Sequence, residues 1–347
     1  MTVSETADPQ YDAILLVSFG GPEGRDDVIT FLENVLRGKN VPRERMLEVA
    51  AHYDHFDGIS PINAQCRTLL TAMRQELTQH GIDLPVYWGN RNWDPLLPDT
   101  LAEMKAAGIK RALAFVTAAY GSYSSCRQYR EDIENAQRTV GEDAPVVDKI
   151  RAFYNHPDFV AAGSDTVAAA FDQIDAERRN ETRIVFTAHS IPNSMSDTSD
   201  YVAQMTEASR LVAESVGVEA ERWQLVYQSR SGPPQVPWLE PDVCDHLRDL
   251  HQQGVRNVVV MPIGFLSDHM EVLYDLDEEA QTVCQEIGLN MIRAATVGTH
   301  PRFITMIRKL IEERLNGTAP EAVGPYGPSH DVCPLDCCPR PERRARP

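Results

Sequence analysis

Residues 258–280 read VVVMPIGFLSDHMEVLYDLDEEA, and this stretch carries the clearest structural pattern in the chain. The apolar run 258–261 predicts a buried parallel strand, and the Pro-Ile-Gly sequence after it predicts a loop. A helix is predicted to begin near Asp268, because apolar residues recur at helical spacing beyond that point. Strand, loop and helix in this order are the repeating element of α/β folds.

Three acidic residues of the predicted helix, Glu271, Asp275 and Glu279, are spaced so that they lie on one helix face. Like charges at this spacing repel each other by roughly 0.2–0.5 kcal/mol per pair, and a cation along the face would remove that cost. The pattern therefore has two interpretations, a solvated acidic surface or a row that holds a cation. The spacing alone leaves both open.

The alternation of apolar runs and amphipathic segments continues on both sides of this stretch. Further strands are predicted at 12–19, 86–88, 112–117, 182–187, 223–227 and 292–295, with helices between most of them. This order predicts an α/β fold with parallel sheets flanked by helices, arranged as two similar units. The Gly-Gly-Pro turn after the first strand does not match a dinucleotide fingerprint, because G-x-G-x-x-G is absent.

Bulk composition excludes several classes of protein. The 347 residues carry a net charge of −18, which disfavours nucleic acid or an anionic membrane surface as a partner. No apolar run is long enough for a transmembrane helix, and the N-terminus lacks the apolar core of a secretory signal. We therefore expect a cytoplasmic protein, in which the 7 cysteines are not a disulfide framework.

Ligands of open α/β sheets bind beyond the carboxyl ends of the strands. His189 lies at such an end, after the strand 182–187. A neutral imidazole can accept a proton or bind a divalent metal, and histidine with glutamate suits Fe(II) or Zn. A purely structural histidine is the alternative. The motifs G-x-S-x-G, P-loop and H-E-x-x-H are absent, so no other catalytic pattern competes.

Several motifs together resemble the ferrochelatase family. They are AILLVSFGGPEG (13–24), GISPIN (58–63), YWGNRNWDP (87–95), GSYSSCRQY (121–129), TAHSIP (187–192), YQSRSGPPQVPWLEPD (227–242) and PIGFLSDHMEVLYDLDEE (262–279). The resemblance extends from about residue 11 to 315. It implies two Rossmann-like, chelatase-type units with a porphyrin cleft between them. The expected limits are 10–155, joined by the helix 301–316, and 156–300, followed by a flexible cysteine-containing tail at 317–347.

The resemblance also implies roles for individual residues. His189 and Glu271 match the pair that binds the metal or removes the pyrrole protons, and Asp275 and Glu279 match further acids of the metal row. Phe19 stands where some relatives have a tyrosine beside the metal, so a phenolate ligand is missing here. The positions that match porphyrin contacts are Ser60, Tyr129, His52 and Tyr53, with Phe19 beside them.

Three cysteines, Cys333, Cys337 and Cys338, lie within six residues of the tail. Some ferrochelatases hold a [2Fe–2S] cluster with such a group and one interior cysteine, so a cluster is a candidate cofactor here. Its fourth ligand stays unidentified. The remaining cysteines offer Cys126, Cys244 and Cys284 by elimination, and a zinc site or a redox-labile tail are the alternatives.

The resemblance implies insertion of Fe(II), as a substrate, into a porphyrin during haem biosynthesis. The loop GPPQVPWLEPD resembles bacterial enzymes that act on coproporphyrin III, and the product would then be coprohaem. Protoporphyrin IX, giving protohaem, is the alternative substrate. A non-catalytic porphyrin or metal carrier and a cobalt or nickel chelatase are the alternative functions. Transient contact with neighbouring haem-pathway enzymes is also expected.

Overall fold

The computed structural model describes residues 10–39 and 41–340. Within this part of the chain two four-stranded sheets form, and every strand pair is parallel. The first sheet has the order β2-β1-β3-β4, with strands β1 (Ala13–Ser18), β2 (Val86–Asn90), β3 (Arg111–Val116) and β4 (Val146–Lys149). The second has the order β6-β5-β7-β8, with strands β5 (Arg183–His189), β6 (Trp223–Gln228), β7 (Asn257–Met261) and β8 (Asn290–Arg293). The equal strand order confirms the predicted pair of similar α/β units.

Helices connect the strands and cover the sheets. The first half contains α1 (Val28–Leu36), α2 (Arg43–Asp54), α3 (Ile62–Gln79), α4 (Leu97–Ala106) and α5 (Gln128–Val140). The second half contains α6 (Pro157–Phe171), α7 (Asn193–Ser196), α8 (Tyr201–Ser215), α9 (Val243–Gln252), α10 (Met270–Val272), α11 (Gln281–Ile287) and α12 (Pro301–Asn316). Two π-helical segments, Tyr123–Arg127 and Leu273–Ala280, precede α5 and α11. No helix of the described residues is both long and apolar enough to cross a bilayer.

Two elements are absent from the sequence prediction, and both have weak patterns. Strand β4 is an edge strand with no fully buried residue, so its four residues lack an apolar signal. Helix α2 buries only Met46 and Tyr53 among mostly polar residues. The helix predicted to begin near Asp268 begins at Met270 instead. The Asp268 amide donates a hydrogen bond of 2.9 Å to the Gln65 side chain, which holds it in the preceding loop.

The central strands are buried on both faces, as parallel sheets require. Helix α12 follows the second sheet but packs against α3 and α6. Its Phe303 ring meets Phe115 of β3 at 6.1 Å, and its Arg308 pairs with Glu76 of α3 at 2.9 Å. These contacts agree with the expected return of the last helix to the N-terminal unit, whose residue limits stay a prediction.

The chain after α12 lies against the body of the protein over its described part. Arg151 forms a two-pronged ion pair with Glu313, at 2.7 and 2.8 Å, and donates to the Glu321 carbonyl. Asn155 donates to the carbonyl of Gly327 at 2.7 Å. The remaining residues of the predicted flexible tail, 341–347, lie outside the described residues.

Candidate active site

His189 is the last residue of β5, at the carboxyl edge of the second sheet. The loop after β7 passes directly over this edge, because the Gly264 amide donates to the Thr187 carbonyl at 3.0 Å. A Cβ on Gly264 would lie 2.8 Å from the Ala188 Cα, so only glycine allows this approach. Tyr201 donates its hydroxyl hydrogen to the His189 carbonyl at 3.0 Å. The backbone of His189 is therefore held from two sides.

The His189 ring has a defined orientation. Its Nδ1 lies 2.5 Å from the Ser190 carbonyl oxygen, which can only accept, so Nδ1 carries the hydrogen. Nε2 then has a free lone pair in the neutral ring, and it faces the Glu271 Oε2 at 3.7 Å. A single metal bound to both at ~2.0–2.2 Å would hold these atoms ~3–4 Å apart. Both side chains remain accessible, at 33% for His189 and 51% for Glu271.

Glu271 lies in the first turn of the helix that carries the acidic row. The His269 ring caps this helix, since its Nδ1 accepts a hydrogen bond of 3.2 Å from the Glu271 amide. Burial lowers the pKa of His269, which keeps the ring neutral and able to accept. The following π segment widens the helix at Asp275, and π segments are frequent at functional sites.

Asp275 lies deeper than Glu271. Its carboxylate accepts hydrogen bonds from the Ser229 hydroxyl and from the Gln228 amide at 3.1 Å. Burial nevertheless raises the pKa of Asp275 to about 7, and repulsion from Glu271 and Glu279 acts in the same direction. Asp275 can therefore both accept and release a proton near neutral pH.

Glu279 lies at the outer end of the row. Burial raises its pKa, and the neighbouring Asp242 carboxylate adds to the shift. The three predicted acidic metal ligands are thus spread along the helix, and His189 of β5 faces the first of them. In the described parts of the chain, ligand atoms from three of these four groups do not gather within 4.8 Å of one another. The structure brings His189 and Glu271 together, whereas Asp275 is bound by Gln228 and Ser229 and Glu279 lies near Asp242.

An aromatic wall of the first unit packs against Met270, the residue directly before Glu271. Phe19, directly after β1, meets the Phe31 ring edge to face at 6.2 Å. The Arg91 guanidinium lies 5.5 Å from the Phe19 ring and 4.6 Å from the Tyr129 ring, and pairs with Asp132 at 2.5 Å. The sequence analysis assigned no role to Arg91, although it lies within the family motif at 87–95. Its side chain is 5% exposed, which marks it as a structural centre of this wall.

The predicted porphyrin contacts differ in exposure. The Tyr129 hydroxyl is buried and paired with Thr117 at 3.1 Å, and burial raises its pKa. Ser60 is also buried, beside Gly21. Tyr53 packs against Phe31, and burial raises its pKa, with a further contribution from Glu271.

His52 lies at the rim, and its ring stacks on Tyr274 at 3.9 Å with an interplanar angle of 7°. Burial lowers the pKa of His52. This stack joins α2 of the first unit to the acidic helix of the second. No sequence pattern predicts this contact, because Tyr274 lies between the acids of the row and far from His52 in the chain.

The tail cysteines lie beside the first π segment. The Cys333 thiol hydrogen bonds to Cys126, and this contact, helped by the Lys149 ammonium, lowers the pKa of Cys126 against the effect of burial. The Cys337 sulfur lies 3.7 Å from Cys338. Cys126 is therefore the interior cysteine that the tail meets. Cys126 lies in the first unit, whereas Cys244 and Cys284 lie in the second unit, on α9 and α11.

Comparison with known proteins agrees with this geometry. The ferrochelatase family model matches residues 11–315. A ferrochelatase of Rhodopirellula baltica is 58% identical over 332 residues, covering 95% of this chain and 94% of the relative. A coproporphyrin III ferrochelatase of Streptomyces coelicolor is 50% identical over 359 residues, covering 97% of this chain and 95% of the relative.

Among solved structures, the sirohydrochlorin chelatase SirB of Bacillus subtilis with cobalt superposes with a TM-score of 0.54 at 12% identity. The match covers 89% of this chain and 97% of that chain, and it shows a shared chelatase-type fold. The family match and the high identity to curated relatives over nearly the whole chain go further than the fold. On these grounds the chain belongs to the ferrochelatase family.

Proposed function

We propose that this chain inserts ferrous iron into coproporphyrin III, forming coprohaem and releasing two protons. The observation that carries the proposal is the pair His189 and Glu271, with Nε2 and Oε2 3.7 Å apart at the open edge of β5. Both groups have free lone pairs, and the aromatic wall packs against Met270 beside Glu271. Metal capture and removal of ring protons both need such lone pairs beside a flat, apolar substrate.

His189 is suited to accept a proton or the metal at Nε2. The Ser190 carbonyl fixes the hydrogen on Nδ1, so the ring presents the lone pair without a tautomer change. Tyr201 and Gly264 hold the backbone on which this orientation depends. A base positioned in this way typically contributes ~10²–10⁴-fold to a proton-transfer step.

Asp275 is suited to pass the ring protons outward. A carboxyl group with a pKa of about 7 is protonated and ionised in similar proportions at neutral pH. It lies between Glu271, at the cleft, and Glu279, near the surface, and its pKa responds to both. Protons released by the porphyrin would follow this row while the iron enters the ring.

The porphyrin is expected to lie against the wall of Phe19, Phe31 and Tyr53. Phe19 has no group that can bind metal, so the wall contributes packing alone at that point. Arg91 supports the wall from behind through its contacts with Phe19 and Tyr129. In this proposal an apolar face holds the porphyrin ring. A polar face delivers the metal to the ring and takes up its protons.

The choice of coproporphyrin III is supported by several relatives named as coproporphyrin III ferrochelatases at 45–51% identity. We place the protein in the cytoplasm, where it would pass coprohaem to the next enzyme of the haem pathway. This substrate carries four carboxylates and is water-soluble. Such a substrate does not need a membrane for delivery.

The test is anaerobic insertion of Fe(II) by the purified protein, followed through the porphyrin absorbance. Coproporphyrin III and protoporphyrin IX are compared at equal concentration, with His189→Ala as the catalytic control. Faster turnover of coproporphyrin III, lost in the variant, is the expected result. A preference for protoporphyrin IX would overturn the substrate assignment. Binding of either porphyrin without insertion would instead identify a carrier.

We also propose that the tail site holds a [2Fe–2S] cluster, with Cys126 as the interior ligand. Thiolates are the usual ligands of such clusters, and the lowered pKa of Cys126 favours its thiolate. Cys333 contacts Cys126, and Cys337 lies in the same segment. A bound cluster would supply one-electron chemistry and join the tail to the loop after β3. Iron and sulfide content and absorbance of anaerobically isolated protein test this part, and a metal-free or zinc-only protein would contradict it.

A further inference from the structure

Arg293, the last residue of β8, binds the acidic helix and the loop before it at the same time. Its Nε and Nη2 donate to the two carboxylate oxygens of Asp277 at 2.5 and 3.0 Å. Its Nη1 donates to the Asp268 carboxylate at 3.1 Å. The side chain of Arg293 is 18% exposed, so these bonds form largely away from water. One guanidinium therefore joins the loop after β7 to the π segment.

The two attachment points enclose the reactive part of the helix. Asp268 directly precedes His269, whose ring accepts a hydrogen bond of 3.2 Å from the Glu271 amide. Asp277 lies in the π segment that follows Glu271. A shift of the loop against the π segment would therefore move Glu271 relative to His189, which is held separately on β5.

The π segment needs support from outside the helix. It is 8 residues long, whereas π geometry in proteins mostly occurs as a single-turn bulge. The chain around β8 supplies such support on the side of the loop as well, because the Gly298 amide donates to the Leu266 carbonyl at 2.8 Å. Arg293 extends this support from the loop to the π segment itself.

We propose that Arg293 is a positioning residue for the reaction: by binding Asp268 and Asp277 together, it keeps the π segment in the register that holds Glu271 opposite His189. The inference rests on the proposed function. It deepens that function by naming a residue on which the geometry of the reactive pair depends. Arg293 acts through the two aspartates and the helix between them, so it is not itself a catalytic residue.

The geometry of the guanidinium is essential to this role. Arginine carries five N–H donors in a rigid plane, and this plane allows two bonds to one carboxylate and a third to another. Lysine offers the same charge from a single ammonium group, which does not reproduce this planar arrangement. Arg293→Lys therefore keeps the charge and removes the connection between the two aspartates.

The chain provides a matched control in Arg151, which lies in the loop after β4. Its side chain is 2% exposed and forms a two-pronged ion pair with Glu313 at 2.7 and 2.8 Å. It also donates to the Glu321 carbonyl at 2.9 Å. Arg151→Lys thus disturbs a similarly buried and similarly paired arginine that contacts α12 instead of the acidic helix.

The first experiment compares Fe(II) insertion into coproporphyrin III by the full-length variants. In Arg293→Lys, kcat should fall by up to ~10²-fold, the loss that a displacement of about 1 Å at reacting groups can cause. The Kd for the porphyrin, measured by fluorescence quenching, should stay unchanged. Arg151→Lys should lose a similar amount of thermal stability and keep the wild-type kcat. Wild-type turnover in Arg293→Lys, or an equal loss of kcat in Arg151→Lys, would overturn the inference.

A combined variant shows whether Arg293 acts through the two aspartates. Asp268→Asn with Asp277→Asn should lower kcat about as far as Arg293→Lys does. Adding Arg293→Lys to this pair should cause no further loss, because residues that act as one unit are not additive. A further loss of full size would show that Arg293 acts by another route and would reject the proposed role.

Amide hydrogen exchange and binding of Zn(II) alone test the same inference without the reaction. Exchange over residues 266–280 should be faster in Arg293→Lys than in the wild type, and unchanged in Arg151→Lys. Zn(II), which histidine and glutamate can bind together, should bind more weakly to Arg293→Lys. If the wild type inserted no iron into either porphyrin, the proposed function would fail, and these two results would still support the positioning of the pair. Wild-type exchange over 266–280 in Arg293→Lys would overturn the inference whatever the insertion rates are.

Discussion

The two units share one strand order, yet they place different chemistry at equivalent positions. In each unit a loop follows the third strand and leads to a π segment, Tyr123–Arg127 after β3 and Leu273–Ala280 after β7. The first segment carries Cys126 and faces the tail cysteines. The second carries Asp275 and Glu279 of the acidic row. A widened helix turn at the same topological position thus carries a cysteine in one unit and a carboxylate row in the other.

The two loops also meet directly. The Tyr120 hydroxyl, after β3, donates to the Ile263 carbonyl, after β7, at 2.9 Å. The loop after β3, which leads to the segment that carries Cys126, is therefore bonded directly to the loop that covers His189. The comparison shows how a repeated scaffold separates reactive groups by unit: the second unit supplies bases and acids, and the first supplies an aromatic wall.

The largest expected effect lies in the reactive pair of the second unit. His189→Ala should reduce Fe(II) insertion by ~10²–10⁴-fold, because the variant loses the oriented Nε2. Glu271→Gln should also be strongly impaired. Since the two groups act together, the double variant should be little worse than the worse single variant. Initial rates of insertion measure the effect, and fluorescence quenching of the porphyrin shows whether binding is retained.

An additive double variant would contradict this account, because additivity indicates independent roles for His189 and Glu271. A His189→Ala variant with insertion within ~3-fold of the wild type would remove the histidine from the mechanism altogether, given the size expected for a base. The first outcome would separate the roles of the two residues, and the second would move the reactive centre away from His189.

The next largest effect is expected on stability, at Arg91, which supports the aromatic wall. Arg91→Ala should lower the free energy of unfolding by about 1–3 kcal/mol, since it leaves the partly buried Asp132 without its partner and removes two ring contacts. Urea unfolding measures the change. Arg138→Ala, on the exposed face of the same helix as Asp132, is the matched control and should change stability by less than ~0.5 kcal/mol. Equal effects of the two variants would show that Arg91 does not support the wall.

The close approach of Gly264 to β5 predicts a loss of stability comparable to that of Arg91→Ala. It also predicts a loss of Fe(II) insertion. Gly264→Ala places a Cβ 2.8 Å from the Ala188 Cα, so the loop or His189 must shift, at about 1–3 kcal/mol. Insertion should fall more than porphyrin binding, because the reactive wall moves and the aromatic wall does not. Gly24→Ala, where a Cβ meets nothing within 4 Å, is the control. Unchanged insertion in Gly264→Ala would show that the loop does not position His189.

The elements and residues that have a local sequence pattern could be predicted from the sequence. Buried strands of continuous apolar residues such as β1 and β7 are visible as runs, and His189 was placed by its position after a strand. The π segments were not predictable, because their residues have the same composition as an α-helix. Cys126 could not be separated from Cys244 and Cys284, since only the three-dimensional path of the tail brings Cys333 to it.

The burial of individual acidic side chains could not be predicted from the sequence either. Asp275 and Glu279 look alike in the row, but only Asp275 receives hydrogen bonds from Gln228 and Ser229 in a distant loop. The pKa near 7 of Asp275 follows from desolvation between elements that are 46 residues apart in the sequence. Spacing places charges on one face, whereas tertiary packing decides which of them stays ionised.

The smallest predicted effect tests this burial through the pH dependence of stability. The pKa of Asp275 is raised to about 7 in the folded protein from an ordinary value of 3.8, so between these values the folded state binds more protons than the unfolded state. The free energy of unfolding should therefore fall as pH rises through this window. Asp275→Asn lacks the titration and should gain on the wild type between about pH 4 and pH 8, by ~1 kcal/mol after allowance for partial exposure, or ~1–2 °C in Tm.

Thermal unfolding at the two pH values measures this gain, and Glu278→Gln, an exposed neighbour on the same segment, is the control. The control should follow the wild type at both pH values, because an exposed carboxylate loses little solvation on folding. If Asp275→Asn also followed the wild type, Asp275 would be ionised throughout the window. The row would then bind cations with three carboxylates of one kind, and the proposed outward path for protons would lose the group that makes it possible at neutral pH.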